Sequence, residues 1–324
     1  MYSDETAVPV ESRRTECPPV AAALHDALLS RCRGLEPLAT AVVYPGSEPA
    51  LRAAVDAAQA GLIEPVLVGP ARETRALAAC HGLAIDGWRM VDAGSPKDAA
   101  EAAARLARNG EVGALMKGAL HTDELMSAVV RRDSLLRTAA RISHVFVMHV
   151  PTYPRALLIT DAAINISPSL EDKVHIVQNA IHLAQVLGVA TPKVAILSAV
   201  ETLNPKIPST LEAAVLCKMA ERGQITGGVL DGPLAFDDAI SAEAARTKGI
   251  TSPVAGQADI LLVPDLVAGN MLAKQLSLLA NADAAGIVLG AKVPVILTSR
   301  ADSLRSRLAS CAIASLMAAA RRAG

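Results

Sequence analysis

The sequence has few aromatic residues and no excess of positive charge. Aromatic residues make up 2% of the 324 positions, and 31 lysines and arginines are balanced by 32 aspartates and glutamates. Proteins that bind nucleic acids normally carry a basic excess or aromatic surfaces on which bases stack. We therefore expect no nucleic-acid partner. Any anion that this protein binds must be held by a few well-placed arginine, lysine and backbone N–H groups.

The chain also lacks paired cysteines and long apolar runs. Its five cysteines include no CxxC pair, which is typical of reduced thiols in the cytosol. Apolar segments are interrupted by charges such as Asp259 and Lys292, so none reaches the roughly eighteen residues that a membrane-spanning helix needs. Residues 1–19 are polar and lack the apolar region of a signal peptide. We predict a flexible tail there, no membrane partner and a cytoplasmic location.

Several common catalytic signatures are missing. The sequence contains no GxSxG, GxxxxGK[ST] or GxGxxG motif, which argues against common serine hydrolases, P-loop NTPases and simple dinucleotide-binding folds. The seven histidines include two pairs that lie close in sequence, His144 with His149 and His175 with His182. Neither pair has the spacing and third partner of a zinc site, so we predict no metal.

Short apolar segments alternate with helical patterns along most of the chain. Strand-like runs such as 41–44 and 65–69 are each followed by a helical pattern, and this alternation is typical of a parallel α/β sheet. Because 324 residues exceed the usual size of a single hydrophobic core, we predict two α/β domains with mainly parallel sheets. Domain I would comprise residues 20–145 and 299–324, and domain II residues 146–298.

Two apolar runs near the middle of the chain, 145–150 and 157–160, are separated by only a few residues. Such a short connection cannot hold a crossover helix. It predicts a hairpin or a crossing between the two domains.

The segment 285–303, AGIVLGAKVPVILTSRADS, combines two apolar runs with a polar end. Glycine and proline bracket both runs, which favours buried strands over helix. The polar residues that follow the second run are Thr298, Ser299, Arg300, Asp302 and Ser303. Asp302 or Ser303 can cap the next helix. An arginine, hydroxyls and free N–H groups between a strand end and a helix start suit an oxyanion or a phosphate.

Polar residues recur where other predicted strands end. These residues are Lys117, Gly118, His121, Thr122, Asp161, Asn165, Ser198, Asp231, Gly232, Asn270 and Lys274. Taken singly, about half of them are better explained as solvated loop residues or helix caps. Taken together, they predict a substrate site, because parallel strands would bring their carboxyl ends to one edge of the sheet.

Six segments together resemble the phosphate acetyl/butyryltransferases, or phosphotransacylases. The segments are LMKGALHTDEL, RISHVFVMHVP, LLITDAAINISP, DGPLAFDDAIS, SPVAGQADILLVPDLVAGNMLAKQL and AGIVLGAKVPVILTSRADS. The resemblance extends from about Leu24 to Met317. It is strongest to the transacylase module that some bacterial proteins carry behind a MaoC-like enoyl-CoA hydratase domain. We expect no such domain here, because only a short tail precedes the first helix.

The resemblance implies reversible transfer of an acyl group between coenzyme A and inorganic phosphate, in a ternary complex without a covalent enzyme intermediate. It implies two α/β domains like those of isocitrate and isopropylmalate dehydrogenases, an active site in the interdomain cleft and a homodimer. Coenzyme A, phosphate and acyl phosphate would be the small-molecule partners, with no permanently bound cofactor. Ser299 would contact the thiol or the acyl group, and Arg300 would bind phosphate or the carbonyl oxygen.

Two positions depart from the acetyl-type pattern. Acetyl-type members carry an aspartate seven residues after the serine as the proposed thiol base, and Ser306 stands there in this sequence. We therefore predict that Asp302, helped by Ser303, accepts the thiol proton. An arginine of the acetyl-type members is replaced by Ala128. The arginines that could supply its charge are Arg131, Arg132, Arg137 and Arg141.

The leading prediction is a phosphate acetyltransferase. A phosphate butyryltransferase is the first alternative, because the SRADS sequence is the version associated with butyryl-type and hydratase-linked members. The second alternative is a metal-dependent decarboxylating dehydrogenase, which would need carboxylates such as Asp231, Asp237 and Asp238 around a divalent ion. A non-catalytic acyl-CoA or acyl-phosphate binding protein is the third alternative, because the acetyl-type aspartate is replaced.

Overall fold

The computed structural model of the protein describes residues 21–297 and 302–323. The strands are β1 (Leu38–Val43), β2 (Ile63–Gly69), β3 (Arg89–Asp92), β4 (Ala114–Lys117), β5 (Ser143–His149), β6 (Ala156–Thr160), β7 (Lys193–Leu197), β8 (Val229–Leu234), β9 (Ile260–Leu262), β10 (Asp283–Leu289) and β11 (Val295–Ile296). The helices are α1 (Ala21–Cys32), α2 (Glu48–Gln59), α3 (Ala71–Cys80), α4 (Pro96–Arg108), α5 (Thr122–Val130), α6 (Leu170–Val186), α7 (Pro208–Glu221), α8 (Phe236–Ile240), α9 (Ala242–Thr247), α10 (Leu266–Leu279) and α11 (Leu304–Ala323).

Several helices begin at capping residues that are visible in the sequence. At the start of α6, the Ser169 hydroxyl accepts the Asp172 N–H at 3.2 Å, and the Asp172 carboxylate accepts the Ser169 N–H at 3.0 Å. At the start of α10, the Asp265 carboxylate accepts the Ala268 N–H at 2.9 Å. Each such cap contributes about 1 kcal/mol to stability, so local sequence fixes where these helices begin.

The described strands form one mixed sheet in the order β3-β2-β1-β4-β11-β10-β5-β6-β9-β7-β8. The sheet contains two sets of parallel strands. The first set is β3, β2, β1, β4 and β11, and the second is β6, β9, β7 and β8. The pairs β11–β10, β10–β5 and β5–β6 between these sets are antiparallel. The fold is therefore α/β with a mainly parallel sheet. The two parallel sets run in opposite directions. The prediction that all the strand ends meet at one edge is wrong, because the antiparallel centre reverses the second set.

Three hydrophobic cores hold the helices against the sheet. The first extends over one whole face, where α1, α2, α3, α6, α7 and α11 pack. The other face carries two separate cores, one beneath α4 and α5 and one beneath α8 and α10. Removing a large buried side chain such as Leu115 from such a core costs about 2–5 kcal/mol. One face is thus continuous, and the other is divided above the central strands.

Local details of the fold agree with some predictions and differ from others. The predicted hairpin is confirmed, because β5 and β6 pair antiparallel with Phe146 opposite Ile159. Residues 236–247 form two short helices, α8 and α9, separated at Ser241, whose hydroxyl accepts the Ala244 N–H. Strand β3 was not predicted.

Within the described residues, no helix is both long enough and apolar enough to cross a membrane.

Candidate active site

A row of residues crosses the centre of the sheet on its divided face. Lys117 lies on β4 and Leu297 directly follows β11, one step beyond the pair Met116–Ile296. Gly286 follows in the same row, one step beyond the pair Ile287–Ile296, and it is paired with Phe146 of β5. We call Lys117, Leu297, Gly286, Phe146 and the neighbouring His144 the central floor. It lies between the core beneath α4 and α5 and the core beneath α8 and α10.

The central floor depends on a close approach at Gly286. A Cβ atom on this residue would lie 2.9 Å from Nε2 of His144 and 3.0 Å from the carbonyl oxygen of Leu297. Contacts this short force neighbouring atoms to shift, so only glycine leaves both groups in place. The N–H of Gly286 is held from the other face of the sheet by the Ser310 hydroxyl of α11, at 3.0 Å.

His144 is a buried polar residue of the central floor. Its side chain is 2% exposed, and its ring meets Phe146 edge to face with the centroids 4.4 Å apart. Nδ1 has no hydrogen-bond partner within the described chain. Burial lowers the pKa of His144 to about 4, although the negative charge of Asp161 acts in the opposite direction. The imidazole is therefore uncharged at neutral pH.

Lys117 and Gly118 lie at the end of β4, against the end of β1. The Gly118 N–H donates to the Val43 carbonyl at 2.9 Å, and a Cβ at Gly118 would lie 2.4 Å from the carbonyl oxygens of Val43 and Tyr44. Only glycine fits there. Lys117 is partly buried, and its Nζ donates to the Gly118 carbonyl at 3.4 Å. This close packing places a cationic side chain at one end of the central floor.

Asp161 and Asn165 form a hydrogen-bonded turn at the end of β6. Oδ1 of Asp161 accepts the N–H groups of Ala163 and Ile164 at 2.9 and 3.0 Å. Oδ2 of Asp161 accepts Nδ2 of Asn165 at 2.6 Å, and Oδ1 of Asn165 accepts Nε of Arg141 at 2.8 Å. Asp161 is 2% exposed. Its carboxylate therefore holds the turn together, and its negative charge lies close to His144.

The same turn connects the two helix groups on the divided face. Ile164 packs against the core beneath α4 and α5. From α10, Nδ2 of Asn270 donates to the Ala162 carbonyl at 3.2 Å, and Gly269 packs closely against the Asp161 carbonyl. Asn270 thus fixes α10 to the turn.

The remaining predicted site residues lie away from the central floor or are exposed. His121 is exposed at the start of α5, where its N–H donates to the Glu124 carboxylate at 2.7 Å, and Thr122 follows it in the helix. Arg137 is exposed beside Ala291, and Lys274 is exposed on α10. Ser198, Asp231 and Gly232 belong to the far end of the sheet: the Ser198 hydroxyl contacts the Ser209 hydroxyl, and the Asp231 carboxylate accepts the Gly232 N–H.

The polar end of the 285–303 segment is described only in part. Ser299 and Arg300 lie outside the described residues. Ser303 caps α11 as predicted, because its hydroxyl accepts the Ser306 N–H at 3.1 Å. The Ser303 and Ser306 hydroxyls are also 3.1 Å apart. Ser306, which replaces the acetyl-type aspartate, thus takes part in the helix cap, and Asp302 lies partly exposed just before it.

Sequence reasoning did not identify His144, Phe146 and Gly286 as site residues. A histidine within a continuous apolar strand was the one available signal, because a buried imidazole is costly unless its nitrogens are hydrogen-bonded. No group of three or more histidine, cysteine, aspartate or glutamate residues in the described ranges could hold a metal ion. The central floor offers an uncharged imidazole and a lysine ammonium, and the ammonium suits an anionic substrate.

Comparison with known proteins is consistent with this chemistry. Residues 95–315 match the family described as phosphate acetyl/butaryl transferase. The chain is 60% identical over 299 residues to a phosphate acetyltransferase of Rhizobium meliloti, covering 92% of this chain and 95% of that protein. It is 40% identical over 291 residues to a phosphate butyryltransferase of Clostridium acetobutylicum, covering 90% and 97%.

The fold also matches a solved structure from this group of enzymes. A branched-chain phosphotransacylase from Enterococcus faecalis superposes with a TM-score of 0.74 at 31% identity, covering 87% of this chain and 99% of that one. The family match includes more than half of the chain, and the relatives are similar over almost their whole length. The chain therefore belongs to the phosphate acetyl/butyryltransferase family.

Proposed function

We propose that this protein is a phosphate acetyltransferase, which transfers an acetyl group reversibly between coenzyme A and inorganic phosphate in the cytoplasm. The observation that carries the proposal is the 60% identity to a phosphate acetyltransferase over 92% of the chain. Identity to a phosphate butyryltransferase is 40%. A butyryl or other short acyl group is therefore the alternative substrate.

The reaction needs a deprotonated thiol and a stabilised oxyanion. In the direction of thioester formation, the coenzyme A thiol gives its proton to Asp302, and its sulfur attacks the carbonyl carbon of the acyl phosphate. The resulting tetrahedral oxyanion collapses, the bond from carbon to the phosphate oxygen breaks, and phosphate leaves. Arg300 would donate to the oxyanion or the phosphate, and Ser299 would contact the thiol or the acyl group. Ser303 would keep the start of α11 beside them.

We place this chemistry in a cleft between two domains, made of residues 20–145 with 299–324 and of residues 146–298. The separate cores on the divided face support two units, and the core beneath α4 and α5 also includes Val288 of β10 and Val295 of β11. Lys117, next to Leu297 in the central floor, is the described cation best placed to attract phosphate. The other substrate-binding residues that we propose are Gly118, His121, Thr122, Arg137, Asp161, Asn165, Ser198, Asp231, Gly232, Asn270 and Lys274. Coenzyme A is a substrate here, and no permanent cofactor is part of the proposal.

Turnover with a series of acyl phosphates tests the function. Purified protein with coenzyme A and acetyl, propionyl or butyryl phosphate should form thioester, with the highest kcat/KM for acetyl phosphate. The thioester absorbance measures the rate directly. A highest kcat/KM for butyryl phosphate would favour the alternative enzyme. Binding of coenzyme A without turnover of any of the three substrates would contradict an enzymatic role and favour the binding-protein hypothesis.

We also propose a homodimer formed through α10. This helix exposes a stripe of large apolar side chains, with Val267 59%, Met271 55%, Leu278 78% and Leu279 83% exposed. Val267, Met271 and Leu278 recur at helical spacing on one face, whereas Leu279 lies about 100° round the helix from Leu278. An apolar stripe of this kind is typical of a protein interface, and two copies of one helix can bury it symmetrically.

Replacing Leu278 by glutamate should convert the dimer into a monomer. Two like charges would be brought together in a desolvated interface, which strongly opposes association. Light scattering coupled to size-exclusion chromatography should give twice the chain mass for the wild type and one chain mass for Leu278→Glu. Val130→Glu, at the end of α5 and 43% exposed, is the control that should stay dimeric. Equal masses for the wild type and Leu278→Glu would exclude this interface.

A further inference from the structure

Tyr44 has an unusual backbone conformation at the carboxyl end of β1. Its φ angle is 53°, in the left-handed region that residues other than glycine and asparagine rarely adopt. Hydrogen bonds fix this conformation. The Tyr44 N–H donates to the Val68 carbonyl at 2.7 Å, and the Tyr44 carbonyl accepts the N–H groups of Gly46 and Ala119 at 2.8 and 2.7 Å. Glycine would adopt the same conformation more readily, so the presence of tyrosine indicates a role for its side chain.

The left-handed conformation turns the ring onto the divided face of the sheet. Along β1, Val42 belongs to the core of the continuous face, and Val43 belongs to the core beneath α4 and α5. Strict alternation would therefore direct residue 44 to the continuous face. The ring of Tyr44 packs instead against the core beneath α4 and α5. It thus lies on the same face as the central floor.

Glycines lie on three sides of Tyr44. A Cβ atom on Gly46 would lie 3.1 Å from Cε1 of the ring. A Cβ atom on Gly69 would lie 3.4 Å from the Tyr44 Cα and 3.8 Å from Cδ2. On the third side, a Cβ atom on Gly118 would lie 2.4 Å from the Tyr44 carbonyl oxygen. The surrounding sequence therefore leaves room for one tyrosine in this conformation.

Tyr44 lies next to the turn that follows Lys117. Val43 and Lys117 are paired across β1 and β4, and Tyr44 is one step beyond this pair. The hydrogen bond from the Ala119 N–H to the Tyr44 carbonyl joins the turn to the end of β1. Lys117 is two residues after Leu115 of the core beneath α4 and α5, so the pleat of β4 places its side chain on the divided face. The phenol and the ammonium therefore share one face and one edge of the sheet.

We propose that Tyr44 is a substrate-binding residue, whose hydroxyl donates a hydrogen bond to the phosphate group that Lys117 attracts. This inference rests on the proposed transacylase function. Tyr44 is partly exposed, and its hydroxyl has no hydrogen-bond partner within residues 21–297 and 302–323. A hydroxyl adds a donor without adding charge. Its hydrogen bond to an ionised phosphate oxygen is stronger than one between two neutral groups.

Replacing Tyr44 by phenylalanine removes only the hydroxyl and keeps the ring against its core. We expect KM for acetyl phosphate, and KM for inorganic phosphate in the reverse direction, to rise about tenfold. The value of kcat should change little, because the hydrogen bond is present both before and during acyl transfer. KM for coenzyme A should also stay close to the wild-type value. Unchanged KM for both phosphate substrates, or an equal rise in KM for coenzyme A, would overturn the proposal.

Tyr153→Phe is the matched control. The Tyr153 hydroxyl donates to the Ala258 carbonyl at 2.7 Å within the core beneath α8 and α10. The same atom is thus removed at a place remote from the central floor, and every KM should stay at the wild-type value. A rise in KM for acetyl phosphate as large as that in Tyr44→Phe would overturn the proposal, because the loss of any tyrosine hydroxyl would then have the same effect.

A double variant tests whether Tyr44 and Lys117 bind the same phosphate group. Substitutions at two residues that share one ligand are coupled. When Lys117 is already alanine, Tyr44→Phe should raise KM for acetyl phosphate by less than about threefold, since the phosphate is no longer held beside the hydroxyl. The same tenfold rise with and without Lys117 would contradict a shared site.

Binding of inorganic phosphate tests the inference independently of turnover. The near-ultraviolet absorbance of a tyrosine shifts when its hydroxyl gains a hydrogen bond. Addition of phosphate should produce this difference spectrum in the wild type and in Tyr153→Phe, but not in Tyr44→Phe. The same spectrum in Tyr44→Phe, or none in the wild type, would overturn the role of Tyr44. A wild type that shows the Tyr44-dependent spectrum but transfers no acyl group would refute the proposed function and leave the phosphate site intact.

Discussion

Replacing Arg300 by alanine should lower kcat/KM for acyl transfer by about a hundredfold to a thousandfold. In the proposed mechanism, this guanidinium donates to the charge that develops on the tetrahedral intermediate or on the leaving phosphate. The loss of one such donor costs about this much in other enzymes. A general positive field cannot replace the lost guanidinium, since 31 basic residues are balanced by 32 acidic ones.

Two further variants make this result specific. Arg300→Lys keeps the positive charge but loses the parallel pair of N–H donors, so its rate should lie between those of the wild type and Arg300→Ala. Arg75→Ala, on the exposed surface of α3, removes an arginine remote from the site and should keep the wild-type rate. Steady-state kinetics with acetyl phosphate and coenzyme A give all the values. A loss of less than about fivefold in Arg300→Ala would remove this residue from the mechanism.

The free energy of unfolding should fall by about 3 kcal/mol between about pH 7 and about pH 4 because of His144 alone. In the unfolded chain the imidazole has its ordinary pKa of 6.5, and in the folded protein burial lowers the pKa of His144 to about 4. Between these values the unfolded chain binds a proton that the folded protein does not bind. The stabilisation is therefore complete above pH 6.5 and is lost as the pH falls through 4.

Chemical denaturation of two variants isolates this effect from the other titrating groups. Relative to the wild type, His144→Phe should become more stable by about 3 kcal/mol as the pH falls over this range. Met148→Leu is the control, since Met148 lies on the same face of β5 and does not titrate. Its difference from the wild type should be the same at each pH. A difference between His144→Phe and the wild type that does not vary with pH would show that the imidazole is accessible to protons in the folded state.

Local sequence was sufficient to predict most elements of this fold, β3 excepted, but not the directions of the strands. Apolar runs and caps such as Ser169 and Asp265 fix where strands lie and where helices begin. The sequence of a buried, continuously apolar strand does not indicate whether the neighbouring strand runs parallel or antiparallel to it. The reversal at β10, β5 and β6 arises from tertiary pairing, so the expectation of one shared edge was wrong.

The candidate site shows the same division between local and tertiary information. The Ser303 cap and the close-packed Gly118 follow residue types that sequence reasoning can identify. His144 and Leu297 are more than 150 positions apart in the chain. Both lie close to Gly286, and they do so only when β5, β10 and β11 are assembled. For Ser299 and Arg300, the sequence resemblance remains the basis of the proposal.

The position of β11 has a consequence for how the protein is made. This strand comes near the end of the chain but lies between β4 and β10, in the middle of the sheet. The helix after it is tied to the beginning of the chain, since Ser315 donates to the Leu62 carbonyl and Arg307 to the Pro49 carbonyl. During synthesis, the edge of β4 that later pairs with β11 has no partner until β11 leaves the ribosome. Such an edge can pair with other chains, so premature termination before residue 295 should yield aggregates rather than a smaller folded protein.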